Sequence, residues 1–392
     1  MAPKSTAPKK KDQAMTAAVS RQASREDRLT AIGHAMAAMN KNYGNGTIMR
    51  MGDIPHQDIR HISTGILSVD LATGIGGLPR GRITEIFGPE SSGKTSLALL
   101  VIAEAQKQGG LCAFVDAEHA LDPEYAKKLG VNLQNLYISQ PDTGEQALEV
   151  TEALIRSGAM DVIVIDSVAA LVPKNEVDGV MGDSVVGLQA RLMSQAMRKL
   201  TGIIHTYGTV AIFINQLREK IGNGYGISET TTGGRALKFY ASMRIDIRPG
   251  EKTTDKGHVL SRTAKVRIVK NKVAPPFKTA SFEFVTGEGV SRSRCLLDLA
   301  VEDGLIHKSG AWFSLDGLQI GQGRENAALY LDLHPDVYQT LYDQVLAAHT
   351  PYAGTGNPGI SGTGPEHPFL QDLAEEPFSR PEDDACNSGF LA

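Results

Sequence analysis

The sequence predicts an α/β fold: a mostly parallel sheet with helices on both faces and an antiparallel extension. A helix precedes this core and a small α+β domain follows it. Three observations lead there. Between about residues 60 and 287, short apolar runs alternate with long helical patterns, the rhythm of strand–helix–strand units. Two of the runs, 162–165 and 210–214, are apolar throughout, as strands covered on both faces are. Beyond residue 240 the intervening helical patterns stop, and the short connections carry Pro249-Gly250 and Pro275-Pro276, which suggests antiparallel hairpins.

Taken in order, residues 1–24 are rich in Lys, Ala, Ser, Pro and Gln and read as a flexible basic arm. Over 25–40, Leu29, Ile32, Met36 and Met39 recur at helical spacing, and Gly44 and Gly46 end the pattern. This apolar stripe needs a surface, either the chain's own core or a neighbouring subunit, so 25–59 reads as a helix and oligomerisation segment. In the core, 60–289, strands are expected at 83–88, 111–117, 135–140, 161–166 and 209–216, then at 241–248, 264–272 and 281–285. Helices are expected over 94–108, 144–157 and 187–205. Residues 290–350 change style. Helical patterns at 296–305 and 327–346 surround a turn-rich stretch, 309–322, and give a small α+β domain. Residues 351–365 hold five Gly and three Pro, a linker composition. The acidic end, up to 392, reads as disordered.

Net charge is −4 but unevenly spread. Residues 1–28 hold seven Lys/Arg against three acids, whereas 351–392 hold seven acids against Arg380 alone. A basic head and an acidic tail suit a charged partner such as nucleic acid, or are simply two solvated ends. Cys112, Cys295 and Cys386 have no CxxC spacing, so neither a disulfide framework nor a zinc site is expected, and a reducing, cytoplasmic setting fits. No apolar run approaches ~18 residues, so no membrane span is expected.

The sharpest motif is Gly88-Pro89-Glu90-Ser91-Ser92-Gly93-Lys94-Thr95, a full match to G-x-x-x-x-G-K-[ST] between a strand and a helix. Small residues let successive backbone N–H groups turn inward around a phosphate. The following helix adds its positive end. Lys94 would reach the β- and γ-phosphates of ATP, and the Thr95 hydroxyl would ligate Mg²⁺. Asp166 closes an apolar strand and would help hold the metal, through water. Glu118 lies just beyond the strand 111–117, where ligands bind in open α/β sheets. It is the candidate general base, with its neighbour His119 as competitor and a mere turn cap as the bland alternative. The strand 209–216 ends in Asn215-Gln216, and an amide there could bond the γ-phosphate and lose that bond on hydrolysis, which would make it a switch.

After Gln216, residues 221–234 hold five glycines and three threonines in a row, with Arg218, Lys220, Tyr225 and Arg235 in or beside them. A second loop, 178–187, precedes the helix bearing Arg191 and Arg198, which are seven apart and share a face. Loops with cations and an aromatic residue can track a phosphate backbone and support bases.

Several ordered motifs resemble the bacterial RecA recombinase family. They are the phosphate loop, Phe114-Val115-Asp116-Ala117-Glu118-His119, Gln140-Pro141-Asp142-Thr143-Gly144, Val164-Ile165-Asp166-Ser167, Thr230-Thr231-Thr232-Gly233-Gly234 and Leu237-Lys238-Phe239-Tyr240. The resemblance spans about 27–328. It implies a RecA-type P-loop ATPase core and a helical homo-oligomeric filament on single-stranded DNA, with ATP between subunits. It further implies pairing with homologous double-stranded DNA, strand exchange, DNA-stimulated ATP hydrolysis, and stimulation of LexA repressor self-cleavage in the SOS response. By motif, Glu118 would activate the water and Gln216 would couple the γ-phosphate to the DNA loop. Asp122 and Tyr125 would contact adenine. Lys270 and Lys272 would reach the neighbour's ATP, with Phe239 at that interface. The loops 178–187 and 217–234 would grip DNA, which adds Met181, Gly182, Val186, Thr230, Thr231, Thr232, Gly233 and Gly234 to the cations above. Thr286 departs from the family, which often has an aromatic residue over adenine there, and Tyr225 takes a usual Phe position. Other readings are a RecA-like ring motor, which the lack of an N-terminal helicase domain disfavours, or a nucleotide-switched scaffold.

Overall fold

The computed structural model describes residues 24–44, 46–53, 59–180, 187–220, 228–255, 258–287 and 289–349. The arm (all but Ser24), the linker and the acidic tail lie outside these residues.

Ten strands form the main sheet. They are β1 Ile83–Gly88, β2 Leu111–Asp116, β3 Leu136–Ser139, β4 Met160–Asp166, β5 Val210–Lys220, β6 Ser228–Thr231, β7 Met243–Asp255, β8 His258–Asn271, β9 Thr279–Val285 and β10 Gly289–Val290. Across the sheet the order is β10-β9-β8-β7-β1-β5-β4-β2-β3, with β6 paired to β5. From β7 to β3 all neighbours are parallel. From β7 to β10, and between β5 and β6, they are antiparallel. The expected architecture is therefore present.

Period-two alternation divides the central strands between two cores. Val162, Val164, Val210, Ile212 and Ile214 face one of them, packed with helix α2 (Lys94–Lys107) and with residues 295–345 of the C-terminal region. Ile163, Ile165, Ala211 and Phe213 face the other, under α3 (Gly144–Arg156) and α4 (Leu188–Tyr207). Burial on both faces fixes the register, because a one-residue slip would exchange the two sets. Thr143 caps α3 by accepting from Gln146 N, and Gly208, in the left-handed region, closes α4.

Two expectations need correction, and the expected α+β domain gains its strands. The N-terminal helix α1 (Arg25–Tyr43) buries none of its residues, and Leu29, Ile32 and Met39 are exposed, so its own core is not the surface it covers. Pro249-Gly250 is not a hairpin turn; it lies inside β7, opposite a register shift in β8 between Arg262 and Ala264. A proline cannot donate to a ladder, so it sits at this bulge. Finally, the turn-rich stretch contains a three-stranded antiparallel sheet, Ile306–Ser309, Trp312–Leu315 and Leu318–Gln322. Its strands are only four or five residues long, and Gly310 and Gly317 sit in the turns between them.

Candidate nucleotide site and DNA-loop stem

Parallel strands end together, and the ladder says which ends meet. Gly88 pairs with Gln216, and Asp116 pairs with Asp166 two residues short of that level, so all four gather at the carboxyl edge. From Gly88 the chain enters the phosphate loop. A Cβ on Gly88 would lie 2.1 Å from Ile247 O, and one on Gly93 would lie 2.4 Å from the Phe284 ring. Gly93 also has φ of 97°, open to glycine at little cost. Ser92 Oγ is buried without a protein partner. Lys94 Nζ donates to Pro89 O at 2.7 Å across the loop. Burial pushes the Lys94 pKa down, against the pull of the Asp166, Glu118 and Glu90 carboxylates.

Thr95 Oγ1 donates to Asp166 Oδ2 at 2.6 Å, so the two predicted metal-holding groups are in contact. Burial raises Asp166 to about 6; the Thr95 hydroxyl and Lys94 pull it down, and Glu118 and Asp116 push it up. A buried carboxylate that needs a cation, a hydroxyl beside it and an orphaned serine hydroxyl suit a hard dication shared with phosphate oxygens. No cluster of three or more metal-ligating side chains exists among the described residues. Mg²⁺ fits this, since it takes few protein ligands beside phosphates and waters.

Glu118 stands exposed just past β2. Its Oε1 accepts from Gln216 Nε2 at 2.9 Å and from the Ser167 hydroxyl. The turn that carries it is held from below. Asp116 accepts from Ala120 N and Leu121 N, both at 3.2 Å, and from Gln140 Nε2 at 3.1 Å. His119 has φ of 54°. Asp122 caps the helix Pro123–Lys128 by accepting from Glu124 N and Tyr125 N. Tyr125 OH is 2.8 Å from Ser96 Oγ on α2. Thr286 Oγ1 donates to Val259 O at 2.7 Å. Arg262 Nη1 reaches Ser91 O at 2.8 Å.

Lys270 and Lys272 are not at this edge. Antiparallel β8 brings Lys270 level with Arg244, near the start of β7, at the amino edge. Lys270 Nζ donates to Lys238 O at 2.7 Å and Phe239 O at 2.9 Å, and Lys272 Nζ lies 3.5 Å from Phe239 O. These carbonyls belong to the last turn of the helix Ala236–Tyr240, where cations are favoured. Burial, then Lys272 and Arg244, lower the Lys270 pKa. Phe239 is 68% exposed.

The predicted DNA residues divide. Strand β5 runs beyond Gln216 to Lys220 and pairs with β6, so the loop has a hairpin stem and Arg218 is on a strand. Arg191, Arg198 and Arg218 are exposed. Thr230 Oγ1 accepts from Lys238 Nζ, Thr231 is buried, and Thr232 is bonded to Asn215. Gly233 and Gly234 have φ of 75° and 79°, and Cβ atoms there would strike Val168 and Ala190. Met181, Gly182, Val186 and Tyr225 lie outside the described residues, as does the side chain of Lys220.

Sequence reasoning missed Ser167, Asp116, Gln140 and the distinct role of Asn215. The one available signal was a carboxylate at the end of β2, matching the one at the end of β4.

A phosphate loop ending a central strand, a carboxylate pair across the ladder and an acid over the loop define a P-loop ATPase of the α/β class. Residues 30–291 match the RecA N-terminal domain, and residues 294–350 match the RecA C-terminal domain. Proteins named RecA are similar over most of their length. That of Kineococcus radiotolerans is 60% identical over 79% of this chain and 89% of its own. That of Rubrobacter xylanophilus is 59% identical over 81% and 93%. That of Mycolicibacterium smegmatis is 60% identical over 79% and 89%. The chain belongs to the RecA family. It is a DNA-dependent ATPase of DNA recombination and repair, in a family that acts as filaments on DNA. Among the described residues, no helix is long and apolar enough to cross a membrane.

Proposed function

We propose that successive copies of this chain assemble head to tail on single-stranded DNA, with Mg-ATP bound by one subunit's carboxyl edge and met by the next subunit's amino edge. The filament pairs its strand with homologous duplex, exchanges strands, and stimulates self-cleavage of a LexA-type repressor, in the cytoplasm. The single observation that carries this reading is the pairing of Gly88 with Gln216. It sets the phosphate loop and the stem of the DNA loop side by side, so a change at one is felt at the other.

In this reading residues 88–95 wrap the phosphates, and Asp122 and Tyr125 border the adenine. Thr95 and Asp166 would hold Mg²⁺, which would supply charge neutralisation at the phosphates. Ser167 fixes one oxygen of Glu118, which leaves Oε2 to take a proton from water once Gln216 has turned to the nucleotide. Gln216 exchanges Glu118 for the γ-phosphate and thereby moves the loop 217–234. Arg191, Arg198 and Arg218 face the DNA backbone, with the loops 178–187 and 217–234 beside them. The exposed stripe of α1 covers a neighbouring subunit. The domain limits in this reading are 25–59, 60–289 and 290–350; the last boundary is supported by the two family matches, which part near residue 292.

The test is ATP turnover with and without single-stranded DNA, paired with electron microscopy. DNA should raise turnover severalfold or more, and filaments should form. Equal rates and no filaments would end the proposal.

A further inference from the structure

Asn215 precedes Gln216 on β5, so its side chain leaves the opposite face of the strand. There it enters a polar group enclosed by the fold. Thr232 Oγ1 donates to Asn215 Oδ1 at 2.5 Å. Asn215 Nδ2 donates to Thr232 O at 3.2 Å and to Glu85 Oε1 at 3.0 Å. Glu85, on β1, is 0% exposed, and its other oxygen is paired with Arg244 of β7. The Arg244 guanidinium lies 4.5 Å from the centre of the Phe87 ring, next to Gly88. Asn215 thus spends its amide on two jobs. It closes the hairpin stem just past the last ladder pair, Leu217 with Thr231, and it ties that closure to the strand that launches the phosphate loop. Both NH₂ hydrogens and the carbonyl are used, which fixes the side-chain orientation. A buried, satisfied polar network has one arrangement rather than many.

We infer that Asn215 is a positioning residue, a latch that locks the return arm of the DNA loop to the strand bearing Gln216, so that the loop moves with that strand. Without the latch, Gln216 still meets the nucleotide and the ladder still holds β6 to β5, but the return at Thr232 is no longer fixed to β5 and, through Glu85, to β1. This inference rests on the reading of 217–234 as the DNA-gripping loop. Asn215 and Glu85 bond to each other, to Thr232 and to Arg244, whereas Lys94 and Thr95 bond to Pro89 and Asp166, so the latch acts on coupling, not on chemistry.

The test compares full-length wild type, Asn215→Ala, Thr232→Val and Thr232→Ser, each checked by thermal melt. Two quantities are read: ATP turnover with and without single-stranded DNA, and DNA affinity with and without a non-hydrolysable ATP analogue. Asn215→Ala should keep DNA-free turnover and ATP affinity within about threefold, and lose about tenfold or more of both DNA stimulation and analogue-induced DNA affinity, within the usual span of coupling energies. Thr232→Ser, which keeps the hydroxyl, should retain the coupling that Thr232→Val loses; a generally loosened fold would not discriminate between them. A folded Asn215→Ala with wild-type coupling overturns the latch. If Asn215→Ala fails to fold, equal coupling in Thr232→Val and Thr232→Ser overturns it. Wild type that DNA does not stimulate would sink the reading of the loop itself, and the latch with it.

Discussion

At the carboxyl edge of the sheet, Thr95 touches Asp166, and Glu118 touches both Ser167 and Gln216. At the amino edge, Lys270 and Lys272 rest on the backbone carbonyls of 238 and 239. The difference follows from strand direction. Parallel strands deliver residues from 88 to 216 to one edge, however distant in sequence. Antiparallel β8 delivers its end to the other edge, where the same chain's phosphate loop is not. One subunit therefore has the phosphate loop and Glu118 at one edge, but Lys270 and Lys272 point away from them. The proposed head-to-tail repeat would unite the two edges, since a heterologous contact that does not close generates a helical filament.

The largest effect that can break this comparison is at the base. Glu118→Gln should slow hydrolysis by ~10²–10⁴ with ATP binding intact, measured as turnover beside nucleotide titration; near-normal turnover would remove Glu118 from the carboxyl-edge set. Next comes Lys94→Ala, which should abolish productive ATP binding and lower turnover by ~10²–10³, as loss of one preorganised donor does. Retained ATP affinity would contradict the phosphate assignment. A smaller effect sharpens the contrast between the edges. The Lys270 pKa is lowered by burial and by Lys272 and Arg244, so its proton leaves below the ordinary lysine range. Filament turnover should thus decline on an alkaline limb that starts early, as a cation is lost from the amino edge. Arginine stays charged, so Lys270→Arg should move that limb upward in a pH profile, and an unmoved limb would exclude Lys270 from the assembled site.

Much of the carboxyl edge was legible in the sequence because its signals are local. The phosphate loop is eight contiguous residues, and an apolar strand that ends in Asp166 announces where that carboxylate goes. Contacts that cross the chain were not legible. The bond from Ser167 to Glu118 spans 49 residues, and only the sheet order brings them together. The directions of Asn215 and Gln216 depend on the phase of a two-residue period, which composition does not set, so one amide meets Glu118 and the other meets Glu85 and Thr232. Thr231 looked like part of a polar loop, yet pairing with Leu217 buries it. The apolar stripe of α1 gave the helix, but not that the chain itself would leave it uncovered.

The most direct test mixes two defective chains on single-stranded DNA. One carries Glu118→Gln and keeps its lysines; the other carries Lys270→Ala with Lys272→Ala and keeps its base. If the site is built across a head-to-tail interface, about a quarter of the interfaces in an equal mixture join an intact base to intact lysines. Turnover should then rise toward that fraction of the wild-type rate, far above either chain alone. A mixture no faster than the average of its two parents would contradict the shared site.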